Sequence, residues 1–180
     1  MNNTKGHLLV ASPRLVDPNF AHAMVLMIQH GEDGALGLIV NRPLEITVAE
    51  ALEQVLDGKP SIGGMLHEGG PCEGPLMVVH CDPDASQFEI ADGIHFTAEE
   101  TQIETLVRNQ AAPIRFFVGY AGWSAGQLER ELQSGSWLVA EADRVRVFTA
   151  SDKLWSKVLA ELTLRPWIDP ARIPPDASVN

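Results

Sequence analysis

A pair of apolar segments around a tight-turn signal most strongly limits the folds that this chain can adopt. Ala23–Gln29 and Ala35–Val40 are rich in apolar residues, and Glu32-Asp33-Gly34 between them is typical of a β-hairpin turn. Residues 24–28 are apolar without alternation, which predicts a strand with packing on both of its faces. We therefore expect a sheet that is covered on each side.

Other strand and helix patterns follow each other irregularly along the chain. Strands are predicted at Gly6–Ala11, Leu76–Cys81, Gln87–Ile90, Ile94–Phe96 and Ile114–Tyr120, with a strand pair at Trp137–Ala140 and Arg144–Phe148. Helices are predicted at Thr47–Leu56, from Thr97 to about Asn109, at Gln127–Gln133 and at Ser151–Leu162, the first two opened by capping boxes (Thr47 with Glu50, Thr97 with Glu100), and 58–74 is predicted as a loop. Strands occur in hairpins as often as they alternate with helices, so we predict an α+β fold with a mixed sheet.

The length of 180 residues fits one domain with a substantial core. We expect this single domain to span residues 1–162. The chain after residue 164 contains four prolines. We therefore expect residues 163–180 to form a Pro-rich extended or disordered tail.

The charge and cysteine content exclude several classes of protein. Thirteen Lys and Arg against 24 Asp and Glu give a net charge of −11, which disfavours tight, sequence-independent nucleic-acid binding. The apolar runs are too short to cross a membrane, and the N-terminus does not resemble a signal peptide. Cys72 and Cys81 have neither metal-binding nor disulfide-scaffold spacing. These features predict a cytoplasmic protein with reduced thiols and no membrane partner.

Residues 122–126, Gly-Trp-Ser-Ala-Gly, match the G-x-S-x-G nucleophile elbow of serine hydrolases. The match is predicted to be a tight turn between a strand and a helix, which would put Trp123 in a turn suited to an interface contact. In α/β-hydrolases the catalytic histidine follows the serine along the chain, whereas all six histidines of this chain precede Ser124. Ser124 and Gln127 also fit a capping box, in which the serine hydroxyl accepts the Gln127 N–H. We therefore predict that Ser124 is a helix N-cap rather than a nucleophile.

The sequence offers no recognisable metal or cofactor motif. His80 and Cys81 are neighbours on a predicted strand, so their side chains point to opposite faces. Asp82 and Asp84 lack the glycine and the terminal glutamate of a calcium loop, and the chain has neither a Gly-x-Gly nor a P-loop motif. We expect neither a metal nor a cofactor.

Five stretches of the chain resemble the AlgH/YqgE-like family. They are residues 6–44, 69–71, 76–80, 119–131 and 134–138. The first stretch carries the family pattern as Leu9, Pro13, Leu15, Asp17, Pro18 and Phe20, followed by His30, Gly34, Ala35, Gly37, Asn41 and Pro43. The residue at the Ser124 position is not fixed in this pattern, and the short loop between Leu56 and Gly69 and the cysteine at position 72 are particular to this chain.

The resemblance implies an α+β fold whose mixed, bifurcated sheet is bent into a pseudo-barrel with helices outside. It implies no known reaction. The family name suggests a regulator of transcription in exopolysaccharide (alginate) synthesis, although the sequence contains no recognisable DNA-binding motif.

Loops and strand ends within these motifs give the candidate binding residues. They are Asn41, Arg42, Gly69, Gly70, His80, Trp123, Gln127 and Glu129. The leading hypothesis is a non-catalytic protein that binds an unidentified protein or small molecule and acts as an indirect regulator. The alternative is an enzyme or small-molecule-binding protein with a polar pocket around Asn41, Arg42 and His80, in which His80 or His30 transfers a proton.

Overall fold

The computed structural model describes residues 3–53, 60, 62–149, 151 and 153–164. Within these residues, eleven strands form two sheets and five α-helices pack around them. The strands are β1 (His7–Ala11), β2 (Met24–Gly31), β3 (Gly34–Ile39), β4 (Pro43–Thr47), β5 (Met65–Glu68), β6 (Met77–His80), β7 (Phe88–Ala91), β8 (Ile94–Thr97), β9 (Ile114–Val118), β10 (Ala121–Ser124) and β11 (Trp137–Glu141). The helices are α1 (Val48–Leu52), α2 (Glu100–Arg108), α3 (Gln127–Gln133), α4 (Arg144–Phe148) and α5 (Leu154–Leu164).

The first sheet is antiparallel, with the strand order β10-β3-β2-β1-β11. The predicted hairpin is its centre, since β2 pairs with β3 down to Gly31 opposite Gly34. Alternate residues of β2 enter two different apolar clusters, with Leu26 on one face and Val25 on the other, and both are fully buried. The prediction of a strand covered on both faces is therefore confirmed.

The second sheet is mixed, with the strand order β4-β5-β9-β6-β8-β7 and a parallel pair formed by β5 and β9. The α+β class and the mixed sheet are therefore confirmed. Instead of one bifurcated sheet the described residues form two sheets, with no closed or curled barrel among them. Side chains of both sheets, such as Leu26 and Phe117, share one core cluster, so the sheets face each other across it.

Hydrogen bonds at the helix N-termini explain why one of the two predicted capping boxes is confirmed and the other is wrong. At α1 the Thr47 hydroxyl accepts from the Glu50 N–H and the Glu50 carboxylate accepts from the Thr47 N–H, which confirms this capping box. The box predicted at Thr97 is wrong, because Thr97 is the last residue of β8 and its hydroxyl accepts from the Glu99 N–H. Helix α2 begins three residues later, at Glu100.

Three other segments differ from the prediction. Residues 144–148 form helix α4 instead of a strand, because the Asp143 carboxylate caps them by accepting from the Arg146 N–H at 2.8 Å. Residues 121–124 form strand β10 instead of a turn, and the predicted loop 58–74 contains β5.

Helix α5 runs to Leu164, two residues beyond its predicted end. Residues 165–180, which make up most of the expected tail, lie outside the described residues, so the tail and the domain boundary stay predictions. The described helices contain no stretch with the length and hydropathy needed to span a bilayer.

Candidate functional site

Asn41 and Arg42, two of the predicted site residues, hold the loop before β2. The Asn41 side chain accepts from the Met24 N–H at 2.8 Å and donates to the His22 carbonyl at 2.9 Å. The Arg42 guanidinium donates to the Asn19 carbonyl at 2.6 Å, with weaker contacts to nearby carbonyls, and lies 3.8 Å from a Glu68 carboxylate oxygen. These contacts give both side chains a structural role.

Gly69 and Gly70 lie where the two sheets join. The Gly69 N–H donates to the Val118 carbonyl and its carbonyl accepts from the Ile39 N–H, both at 2.8 Å, so this residue links β9 to β3. A Cβ atom on Gly69 would collide with the Gly119 carbonyl, and one on Gly70, whose φ is 152°, would collide with the Tyr120 main chain. Glycine is therefore required for this close approach.

Trp123 lies in strand β10, not in a turn, and it is only 6% exposed. Its ring stacks near Phe20, at 6.1 Å between centroids, and meets Trp137 edge-on at 6.0 Å. The Glu131 carboxylate accepts from the indole N–H groups of Trp123 and Trp137 at 2.9 and 2.8 Å and from the Gln127 amide at 2.9 Å. The expectation that Trp123 sits in a turn, suited to an interface contact, is wrong, because packing and this acceptor hold its side chain inside.

The N-cap prediction for Ser124 is wrong as well. Helix α3 starts after Gly126, which has a left-handed backbone (φ 71°) and serves as the N-cap. Ser124 ends β10, and its N–H and hydroxyl both donate to the Gln127 side-chain oxygen, at 3.1 and 3.2 Å. Only the Gln127 half of the capping box is present, because the two intervening residues form a turn rather than the first helical turn.

Glu129 meets His30 beside the predicted hairpin. The Thr4 N–H donates to His30 Nδ1 at 3.1 Å, so Nε2 carries the proton and faces the Glu129 carboxylate at 3.3 Å. The main-chain N–H of Glu129 and the His30 contact keep the pKa of this carboxyl below its usual value. The His30 side chain is only 4% exposed.

His80 is separated from the other predicted site residues. Its cross-strand partner on β9 is Ile114, the residue before Arg115, so His80 and Arg115 point to opposite faces of the second sheet. Burial and the neighbouring His95 ring lower the His80 pKa to about 4. The Asp82 N–H donates to His80 Nδ1, and Nε2 is buried without a hydrogen-bond partner among the described residues. The structure thus does not bring His80 into a common pocket with Asn41 and Arg42.

A cavity of about 440 Å³ opens at the end of the second sheet, beside the strand that follows Arg42. Its described lining is Pro43, Val48, Gly63, Gly64, Met65, His67, Ala112, Pro113, Ile114, Arg115, Phe116 and Phe148. We call this cavity the Arg115 pocket. Arg115 is the only charged residue in this described lining, and none of the eight predicted site residues belongs to it.

Arg115 is 6% exposed and has no carboxylate partner among the described residues. Its Nη1 donates to the main-chain carbonyl of Val40 at 2.5 Å. Within the described residues, this is the one hydrogen bond of the guanidinium. Burial lowers the pKa of Arg115 to about 10, so the group is still charged at neutral pH. A guanidinium has five N–H donors, so most of its donors are open to a further acceptor.

His67 shares the pocket and the sheet face with Arg115. It is the register partner of Phe117, which lies two residues beyond Arg115 and therefore on the same face. Burial and the Arg115 charge lower the pKa of His67 to about 4, so the ring is neutral at pH 7. Nδ1 donates to the Met65 carbonyl at 3.0 Å, which leaves the Nε2 lone pair as an acceptor.

Sequence reasoning missed both pocket residues. The available signal was a charged residue inside the apolar strand pattern Ile114–Val118, since an arginine at such a position is seldom buried unless it is paired. His67 carried no such signal, because its strand lies in a segment rich in glycine.

Known proteins are similar in sequence to this chain over most of its length. A profile of the AlgH-like family matches residues 8–167. A UPF0301 protein of Chlorobaculum tepidum is 40% identical over 159 residues, which cover 84% of this chain and 83% of the relative. A UPF0301 protein of Photobacterium profundum is 37% identical over 178 residues, which cover 91% of this chain and 94% of the relative.

Solved structures share the fold. The solution structure of the AlgH protein from Pseudomonas aeruginosa matches with a TM-score of 0.75 and 28% identity, covering 99% of this chain and 97% of that one. A crystal structure of a Corynebacterium diphtheriae protein matches with a TM-score of 0.73 and 23% identity, covering 88% of this chain and 86% of that one. On the profile and the sequence identities together, the chain belongs to the AlgH-like (UPF0301) family.

Proposed function

We propose that this protein is a non-catalytic binding protein that takes a small molecule into the Arg115 pocket. Any effect on transcription is then indirect and exerted by the ligand-bound state. The observation that carries the proposal is Arg115 itself, a buried cation on a cavity wall without an acidic partner among the described residues.

The energetics of burial support a ligand for this cation. Removing a guanidinium from water is unfavourable unless hydrogen bonds and opposite charge offset the loss of hydration. The described residues offer one carbonyl, that of Val40, and no carboxylate. A small molecule with an acceptor group supplies what the pocket walls lack, and the cavity volume lies in the usual range for ligand sites.

The chemistry of the pocket favours binding over catalysis. His67 is the titratable neighbour of Arg115 there, and its pKa of about 4 makes it a weak base at neutral pH. The described lining contains no serine, cysteine, threonine or carboxylate to act as a nucleophile. His30 and His80, the proton-transfer candidates from the sequence, are outside this lining.

A steric variant tests the proposal. Gly63 lines the pocket and a Cβ atom there meets nothing within 4 Å, so Gly63→Phe adds a bulky side chain to the pocket lining without an immediate clash and leaves Arg115 and His67 unchanged. Gly31→Phe is the matched control, because Gly31 has the same free space at the far end of β2. The measurement is saturation-transfer NMR against a library of organic acids, amino acids, sugars and nucleotides.

We expect at least one library compound to bind the wild type and Gly31→Phe but not Gly63→Phe. Binding that is equal in all three proteins, or no binding by any compound at millimolar concentration, would contradict the proposal.

A further inference from the structure

We infer that the Arg115 pocket selects a monocarboxylic acid with a hydroxyl group next to the carboxylate and an apolar body. The carboxylate lies on the Arg115 guanidinium, and the hydroxyl donates to His67 Nε2. This inference rests on the proposed function and names its ligand class.

The charge of the site favours a single negative charge. Arg115 is the only charged residue in the described lining, so one carboxylate neutralises it. A phosphate dianion would bring a second charge and a third oxygen into a wall where Pro43 and Pro113 have no main-chain N–H to donate. The planar guanidinium also matches the two oxygens of a carboxylate.

His67 adds a second requirement. Its Nδ1 is committed to the Met65 carbonyl, so Nε2 offers a lone pair and accepts a proton donor from the ligand. His67 and Arg115 lie on the same face of neighbouring strands. The hydrogen-bond donor of the ligand should therefore lie close to its carboxylate. A 2-hydroxy acid places a hydroxyl there.

The apolar residues of the pocket lining favour an apolar group in the rest of the ligand. Met65 and Phe148 contribute apolar side chains on the Arg115 side of the sheet, and Val48, Ile114 and Phe116 line the cavity from the other side. The cavity is several times larger than a carboxylate. Burying an aliphatic or aromatic group against them is favourable in proportion to its apolar area. Lactate alone leaves these walls unfilled, so a longer 2-hydroxy acid should bind more tightly.

Titration calorimetry on the wild-type protein tests the class without any variant. The probes are 3-phenyllactate, 2-hydroxyhexanoate and lactate, with 3-phenylpropanoate lacking the hydroxyl, 3-phenyllactamide lacking the charge, and phenyl phosphate. We expect 3-phenyllactate or 2-hydroxyhexanoate to bind more tightly than lactate. For 3-phenyllactate, whose matched analogues are in the probe set, we expect loss of the hydroxyl to weaken binding about three- to tenfold. We expect loss of the charge to weaken it about a hundredfold.

Two variants distinguish the contact of Arg115 with the carboxylate from the contact of His67 with the hydroxyl. Arg115→Met should abolish the preference for the acid over the amide. His67→Phe should remove the preference for the hydroxy acid over 3-phenylpropanoate while keeping the preference for the acid over the amide.

The outcomes distinguish this inference from the proposed function. Failure of all three hydroxy acids to bind at millimolar concentration, or equal or tighter binding of phenyl phosphate, would overturn the ligand class. If another compound still binds in a Gly63-sensitive manner, the proposed function stands while the ligand class fails. If no compound binds, both fail.

Discussion

Arg115 of the second sheet donates to the main-chain carbonyl of Val40, the residue that follows β3 in the first sheet. The same guanidinium therefore ties the two sheets together and lies on the wall of a cavity. This double position makes the stability of Arg115 variants informative about its role.

We expect Arg115→Met to change the free energy of unfolding by no more than about 2 kcal/mol. Removal of a buried charge is favourable, whereas the Val40 carbonyl loses its donor, and these effects are of similar size. Urea denaturation gives the value. A loss above about 4 kcal/mol would make Arg115 chiefly a structural residue, since effects of that size mark a disrupted core.

Acid should destabilise the protein through His67 and His80. Both have a folded-state pKa of about 4, below the value of 6.5 that imidazoles have in an unfolded chain. The unfolded state therefore binds protons first as the pH falls, and the stability that the neutral rings contribute is full above pH 6.5 and declines towards pH 4. The groups that act on these rings are Arg115 for His67, and His95 and Asp82 for His80.

The measurement is the urea midpoint at steps between pH 7 and 4, together with NMR titration of the imidazole Cε1–H signals. A midpoint that is constant across this range, or imidazole signals of His67 and His80 that titrate near pH 6.5, would contradict the burial of two neutral rings.

Glu131 should contribute more to the free energy of unfolding than Gln127 or Glu129, the predicted site residues on α3. Glu131→Ala leaves the indole N–H groups of Trp123 and Trp137 without their acceptor, and each such loss costs about 1–3 kcal/mol. Glu131→Gln, which keeps one oxygen acceptor, should cost less. Thermal unfolding followed by tryptophan fluorescence compares them, and equal stability of Glu131→Ala and the wild type would exclude this role.

Ser124→Ala should cost less than Thr47→Ala. The Thr47 hydroxyl caps α1, and loss of such a cap costs about 0.5–2 kcal/mol. The Ser124 hydroxyl only donates to the half-exposed Gln127 side chain, and its N–H keeps that partner in the variant. Urea denaturation of the two variants ranks them, and the reverse order would restore the N-cap role predicted from the sequence.

The sequence predicted the parts of the fold that depend on local signals. The β2–β3 hairpin combines an apolar run with a turn, and the capping box at Thr47 involves residues three apart, so both could be identified from neighbours in the chain. Strand β10 could not, because Gly122 and Ser124 favour a turn and become extended only by pairing with β3. The order of the predicted strands and helices supplied the α+β class with a mixed sheet, and the family resemblance added a bifurcated pseudo-barrel that the described residues do not form.

The candidate site was less predictable than the fold. Asn41, Arg42, Gly69 and Gly70 were chosen as polar or glycine residues at strand ends, and the structure gives each of them a packing or hydrogen-bonding reason. Arg115 and His67 are 48 positions apart and meet only because β5 pairs in parallel with β9. Parallel pairing of distant strands has no local sequence signal, so this pocket required the structure.

The most direct test of the central claim is to locate the bound ligand by heteronuclear NMR. The protein labelled with ¹⁵N is titrated with 3-phenyllactate, and the Arg115 Nε–H signal and the main-chain amides are followed. We expect saturable shifts of Arg115 Nε–H and of the amides of Gly64, Met65 and His67, with none of these shifts in Gly63→Phe. Shifts confined to residues outside the pocket, or an Arg115 signal that does not move at saturating ligand, would contradict it.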